Sequence, residues 1–562
     1  MQDTTKAATS VPDLIGEFGI YQLSLTIVAF VRYVCVAMMT NSGALIAPTV
    51  DFWCRPPDDV TVAYPINVTN EAEFLKNKCD LEIVANGFTG PYKCQEWSFD
   101  TTKHGLTLTD AFKLNCDRDW YRSAFQSSIS IGVTLASVVF GSFSDENGRR
   151  LTLRISCVVS LVAGSISVLA PDYTTYTVAR SICSMSDIGI VSSLYTLIVE
   201  TLGNKYRGST CIIVFTGWSM GVMVMPWITE HFLNFRHVML FTVCCHILTL
   251  PWLMTVGESI RWLLINENYQ EAKLEVERIC SWNMGSSYSR ADSEARMLDV
   301  RGNFEELKAR FEARAERRHK MGDAISRKNE SLGQTIVRSL FGGFLKVGQI
   351  FKSKELLVTT ITIVWTTFNS ELMYMLFILI NSDVGDNIKL NYAIGGLMEI
   401  LATLIAIVMI SRLKRRLSLS STLLVISASI FTLAFTHNHP AWSIPVLNFT
   451  KLAISTLSSL IYVIATELFP TSLRQTGMGL AATLGSMGAV VAPFIRKEVT
   501  DMIGMSNVML LLFCLPFSAA VVIPLCLRET KDVELPDDVD ELEQEAETHQ
   551  MGRELDDLKV KA

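Results

Sequence analysis

Long apolar runs, divided by short polar gaps, fill most of this chain. They fall at roughly 20–47, 124–143, 152–170, 174–201, 208–230, 238–256, 356–381, 390–411, 417–437, 442–468, 474–498 and 505–528. Each is long enough, at about 1.5 Å rise per residue, to cross a hydrocarbon core of about 30 Å. One such run could be a buried helix of a soluble protein; twelve in series predict an all-α polytopic membrane protein. The first run follows a polar stretch and has neither a basic start nor a clear small-residue cleavage site, so it reads as a span rather than a removable signal.

The gaps carry the charge. Only 19% of the 562 residues are charged, against about a quarter in soluble proteins. The net charge of −7 is concentrated at one end. Glu529–Ala562 holds 13 acids and 4 bases, which leaves the rest of the chain near +2. Nothing in that balance suggests a nucleic-acid groove.

Lys and Arg in short loops mark the cytoplasmic side. With both termini inside, the short inner connections 145–154, 203–208, 411–416 and 467–474 carry ten of them, and the short outer connections carry four. Residues 48–122 then lie outside and 257–355 inside. The outer segment holds Cys54, Cys79, Cys94 and Cys116, which suits two disulfides, with three pairings possible. It also holds the glycosylation acceptor Asn67-Val-Thr. Two further matches, Asn329-Glu-Ser in the inner segment and Asn448-Phe-Thr in a span, read as chance. The other cysteines read as packing residues, and no cluster has metal-site spacing. The inner segment reads as a solvated, partly helical charged stretch that could also dock a partner.

The charges repeat. Arg149-Arg150 recurs as Arg415-Arg416, 266 residues later. Glu200 with Arg207 recurs as Glu467 with Arg474, and Glu258 as Glu529. The chain therefore divides into two parallel six-span halves, a plan used by transporters. The expected limits are a cytoplasmic start at 1–19, a first half at 20–256, the charged inner loop at 257–355, a second half at 356–528 and an acidic tail at 529–562.

In such a plan, carboxylate–guanidinium pairs on one face can form in one state and break in another. Candidates for this latch are Asp145, Gly148, Arg149, Arg150, Glu200, Arg207, Glu258, Arg261, Glu467, Arg474 and Glu529. Gly148 permits a tight turn and Gly141 a close helix approach. The second half reads "SRLKRR", without an acid or glycine matching Asp145 and Gly148, so the latch is expected to lean on Asp145.

The segment "GSFSDENGRR" resembles the signature between the second and third helices of the major facilitator superfamily. "EFG" at Glu17–Gly19, the cysteine-bearing outer loop, "DAFKLNCDRDWYRSAFQS", "YTLIVETLGNKYR", "ESIRWLL", "TELFPTSLRQTGMG", "APFI" and "ETKDVELP" are similar to the organic cation, anion and carnitine transporter family within it. The resemblance runs in order from about residue 17 to 536. It implies plasma-membrane carriage of small organic ions through a central cavity by alternating access. No cofactor is expected: no Walker-type phosphate loop is present, and no nucleophile–base or metal set suggests an enzyme.

Intramembrane charges are costly and so are site candidates. By resemblance Glu399 matches an acid of the family's eighth helix. Glu371 could face the cavity or one leaflet. Arg32 could pair with Asp187 or Glu399, or contact an anionic substrate. The resemblance also places Tyr195, Trp218, Trp365, Tyr374 and Tyr462 near the cavity, where ring faces can hold a cation. Trp53, Trp252 and Trp442 read as interface residues. Family members carry aspartate (cation carriers) or arginine (anion and carnitine carriers) where this chain has Ser486. The reading is a carrier of organic cations or zwitterions. The alternatives are an anion or neutral-solute carrier anchored by Arg32, or a transport-inactive receptor or scaffold.

Overall fold

The computed structural model describes residues 11–48, 50–55, 61–62, 76, 79–85, 88–102, 105–284, 290–320, 350, 353–381, 388–437, 439–469 and 474–531. Among them, twelve helices are long and apolar enough to cross a membrane. In order they are Ile20–Asn41, Cys116–Asn147, Arg149–Leu169, Tyr173–Thr201, Thr210–His231, Phe235–Thr255, Lys354–Asn381, Leu390–Arg412, Arg415–Thr436, Ala441–Leu468, Gly477–Ile503 and Met505–Cys526. They are called the first to twelfth spans below. The polytopic all-α fold read from the apolar runs is present.

Local chemistry fixes the span ends. Asp172 accepts a hydrogen bond from the Thr175 amide at 2.8 Å where the fourth span starts. Asn234 does the same for Arg236 at 2.9 Å before the sixth. The eleventh span is segmented into Arg474–Gly485, Met487–Phe494, a π turn at Ile495–Val499 and Thr500–Ile503. Pro493 removes a backbone donor just before the π turn, which opens the ladder there. Leu169, Leu248 and Leu525 point outward with more than three-quarters of their surface exposed, which suits a lipid-facing belt.

Each half has its own core. In the first half, Leu153, Leu194 and Ile198 anchor one cluster, and Phe125, Tyr176 and Met239 another. In the second half, Ile363, Leu423, Leu460 and Ala519 belong to a single cluster. A small cluster of Ala37, Val222, Ile378 and Tyr392 crosses between the halves.

One face of the bundle carries a β-structured cap. Strand β1 (Phe52–Cys54) pairs antiparallel with β5 (Trp97–Phe99), while β2 (Thr61–Val62), β3 (Asp80–Ala85) and β4 (Phe88–Lys93) form a second sheet. Disulfides join Cys54 to Cys94 and Cys79 to Cys116, which settles the pairing left open by the sequence. Cys54 and Cys94 pack with Leu81 as the cap's small core. Asn67 lies outside the described residues.

The opposite face carries three helices, Ile260–Ile265, Tyr269–Met284 and Arg290–Lys320. The last has the expected charged character, yet it is docked along one edge through Phe304 and Leu307. These helices hold the short helix Val11–Ile15 through Val11, Leu14, Ile15, Val276 and Ile279. Asn283 then ties them to the first span. It accepts from the Tyr21 amide at 2.9 Å and donates to Ile15 O at 2.9 Å and Gln22 Oε1 at 3.1 Å. The chain beyond Lys531 lies outside the described residues.

Candidate functional site

The charged gaps converge on the helical face as two matching clamps. In the first half, the Glu258 carboxylate accepts from the backbone amides of Arg149 (2.9 Å), Arg150 (3.1 Å) and Ser259 (2.9 Å). It thus occupies the positive N-terminal end of the third span. Arg149 donates to Ser144 O at 2.9 Å and pairs with Asp145 at 3.1 Å and Glu200 at 3.2 Å. The Trp262 indole N–H closes the corner on Asp145 O at 2.8 Å. Burial raises the Glu258 carboxyl from its ordinary range, against the pull of the three amides.

In the second half, Glu529 accepts from the amides of Arg415 (2.7 Å) and Arg416 (3.4 Å). Arg415 grips Glu467 with two bonds, Nε to Oε2 at 2.9 Å and Nη2 to Oε1 at 3.0 Å. Thr530 donates to Glu467 at 2.8 Å, and Lys531 donates to Arg412 O at 2.9 Å. The repeat read from spacing is thus repeated in geometry.

The contacts of each clamp lie within one half. The missing acid at Ser411 does not loosen the second clamp, because Glu467 meets Arg415 in bidentate fashion. Asp145 itself is 65% exposed. Arg261 is exposed, and Arg207 donates to Leu202 O rather than to Glu200. The Arg474 side chain lies outside the described residues. Among the described residues, nothing lies within 4 Å of where a Cβ would sit on Gly141.

Gly148 is different. Its φ of +93° lies in the region glycine favours, and a Cβ there would strike the Glu258 carboxylate. Gly148→Ala is therefore expected to cost about 1–3 kcal/mol from backbone strain, more if Glu258 is displaced. Thermal melting in detergent would check this, and an unchanged melting point would count against the clamp.

A second polar cluster is buried inside the first half. Arg32 of the first span pairs with Asp187 of the fourth at 3.7 Å and donates to Thr249 at 3.1 Å. Ser160 donates to Asp187 at 2.6 Å, and His246 lies 3.4 Å from the same carboxylate. Arg32, Asp187 and His246 are almost fully buried, as is Ser160. This selects the Asp187 partner for Arg32 among the options the sequence left open. Arg180, also fully buried, donates to Met39 O at 2.6 Å and to Ser42 at 3.0 Å.

The third polar cluster crosses between the halves. Trp218 of the fifth span donates its indole N–H to the Tyr374 hydroxyl at 2.9 Å. That hydroxyl donates to Glu399 Oε1 at 3.0 Å. Lys451 of the tenth span forms a 2.9 Å ion pair with the same oxygen. Its ammonium also sits 3.6 Å from the centroid of the Tyr374 ring. Glu371 lies one turn before Tyr374 on the seventh span. Glu399 and Lys451 are nearly fully buried.

Contacts between the halves flank this cluster on both sides. Toward the cap, Lys497 pairs with Asp119 at 2.8 Å, while Ser123 and Ser127 donate to Pro493 O (3.3 Å) and Val490 O (2.6 Å). A cavity of about 100 Å³ opens there beside Gln126, Arg122 and Arg496. Toward the clamps, the rings of Tyr195 and Tyr462 meet edge-on at 6.2 Å, with Phe215 6.1 Å from Tyr462.

Of the predicted site residues, Trp218, Tyr374 and Glu399 thus come together. Tyr195 and Tyr462 form a separate aromatic layer. Trp365 stacks on Phe368 and donates to Ser518 of the twelfth span. Ser486 bonds Thr134 across the seam at 2.9 Å. Sequence reasoning missed Lys451 and Arg180. Both were visible as lone bases within apolar runs.

The sequence model of the Major Facilitator Superfamily matches residues 123–493 and 367–549. Solute carrier family 22 member 1 of Bos taurus is 25% identical over 561 residues, covering 95% of this chain and 92% of the relative. An organic cation transporter protein of Drosophila melanogaster is 22% identical, covering 86% of this chain and 85% of its own. Among solved structures, the proton:xylose symporter XylE bound to 6-bromo-6-deoxy-D-glucose superposes with a TM-score of 0.57 at 16% identity. That match covers 92% of this chain and 98% of the symporter. A partially occluded inward-open form of the E. coli xylose transporter XylE gives 0.58, also at 16% identity, over 92% and 100%.

Proposed function

Because the chain belongs to the major facilitator superfamily, we propose that it is a facilitative carrier of small organic cations or zwitterions in the plasma membrane. The observation that carries the substrate class is the chain Trp218–Tyr374–Glu399 with Lys451, which sets a carboxylate beside an aromatic face where the halves meet. A ring face and a carboxylate together are the surroundings an ammonium group favours. The name of the Drosophila melanogaster relative at 22% identity, an organic cation transporter protein, supports the same class.

In this reading the disulfide cap is extracellular and both termini are cytoplasmic. The contacts toward the cap and the aromatic layer of Tyr195, Phe215 and Tyr462 are the two barriers that open in turn. The Trp218–Tyr374 bond joins the halves at the substrate's level, so binding there is felt by both. The two clamps hold each half as one body while it rocks, rather than acting as a switch between the halves. Burial of Arg32 against Asp187 removes the anchor on which an anion carrier would depend.

Uptake into cells expressing the protein tests the reading. Tetraethylammonium is expected to enter saturably and to accumulate by roughly fifty-fold per 100 mV of interior-negative potential. That follows from about 2.3 kcal/mol per charge at about 1.4 kcal/mol per tenfold. Depolarisation should abolish the accumulation. Uptake of a dicarboxylate such as 2-oxoglutarate, with none of tetraethylammonium, would refute it.

A further inference from the structure

We propose that Lys451 is a built-in cation that occupies the substrate's own subsite in the empty carrier and limits it to monovalent organic cations. This rests on the organic-cation reading above and goes beyond it.

The geometry is that of a bound ligand. The Lys451 ammonium lies 3.6 Å from the Tyr374 ring centroid and 2.9 Å from Glu399 Oε1. A substrate ammonium recognised by a ring face and a carboxylate needs those same two partners. The two cations cannot share them, so substrate must displace the lysine. Lysine is suited to this exchange, being a compact charge on a flexible four-carbon stem. Glu371, one turn before Tyr374 on the same helix, supplies a second carboxylate. The displaced ammonium moves to Glu371 while the substrate takes Glu399 and the ring.

Charge counting then sets specificity. Counted in their ordinary ionised forms, Glu371, Glu399 and Lys451 together carry one negative charge. One monovalent cation neutralises the site. A divalent cation leaves an uncompensated positive charge in a buried place, where isolated charge is costly.

The test is uptake by proteoliposomes holding the full-length protein, with tetraethylammonium and the bis-quaternary hexamethonium as probes. Wild type should carry the first and exclude the second. Lys451→Gln should lower the KM for tetraethylammonium at least tenfold and admit hexamethonium. Glu399→Gln should lose tetraethylammonium uptake, because Lys451 and Glu371 then cancel. Adding Lys451→Gln to Glu399→Gln should restore it through Glu371. This double variant leaves no lone charge at the old pair, so it remains readable if Lys451→Gln alone fails to fold.

An unchanged KM with hexamethonium still excluded would overturn the inference. So would a double variant as inactive as Glu399→Gln. Absence of tetraethylammonium uptake by wild type would instead refute the organic-cation reading itself.

Discussion

Asp187→Ala is expected to destabilise the protein by about 3–5 kcal/mol, because it strands the buried Arg32 guanidinium without its carboxylate. Three groups converge on that carboxylate. Arg32 comes from the first span, Ser160 from the third and His246 from the sixth. Among the described residues, Thr249 is the other side-chain partner of Arg32, and it is uncharged. A hydroxyl cannot replace the missing charge. The measurement is thermal unfolding of the purified protein in detergent, alongside Asp187→Ala combined with Arg32→Leu. The double variant should recover much of the loss, since replacing a whole buried pair by apolar side chains is often near neutral. A single variant as stable as wild type would show that the pair is not holding these spans together.

Glu258→Ala should cost more than Asp145→Asn, by about 2 kcal/mol. The Glu258 carboxylate accepts three backbone amides, two of them at the start of a span. Removing it leaves those donors short of partners, at about 1–3 kcal/mol for each one left buried. Asp145 makes one ion pair and is 65% exposed. An exposed pair of that kind is worth about 0–1 kcal/mol. Melting temperatures of the two variants decide the matter, and equal losses would refute the hierarchy.

The sequence draws attention to Asp145 instead, and the reason is instructive. Asp145 stands out in "GSFSDENGRR" because it lies four residues from its arginine. Glu258 is 109 residues from Arg149, and only folding brings them together. Spacing revealed the repeat of Arg149, Glu200 and Glu258 as Arg415, Glu467 and Glu529. It could not reveal which acid carries the amides.

Other features divide the same way. The twelve spans were legible because each must satisfy its own backbone within the membrane, so length and apolarity suffice. The cysteine pairing was not, since three pairings fit the same spacing. Tyr374, Trp218 and Glu399 were found as candidates, one by one, by type and resemblance. Lys451 was passed over although it closely follows Asn448-Phe-Thr, a match that drew notice for a different chemistry. Ser486 stands where family members carry aspartate or arginine, and in the fold its hydroxyl meets Thr134 at the seam. A side chain's direction around a helix in an apolar run has little periodic signal when all faces are apolar.

The Asn283 contacts alter where the molecule divides. Counted by spans, the first half ends near residue 256 and the segment after it is a tether. Counted by packing, Tyr269–Met284 and the edge of Arg290–Lys320 belong to the first half, held by Val11–Ile15 and the start of the first span. Ile350 packs with Leu356 and Phe469 and belongs to the second. Arg290–Lys320 is thereby joined to the first half, and through the helix that bears Asn283 it is tied to the base of the first span, whose other end reaches the seam at Ala37.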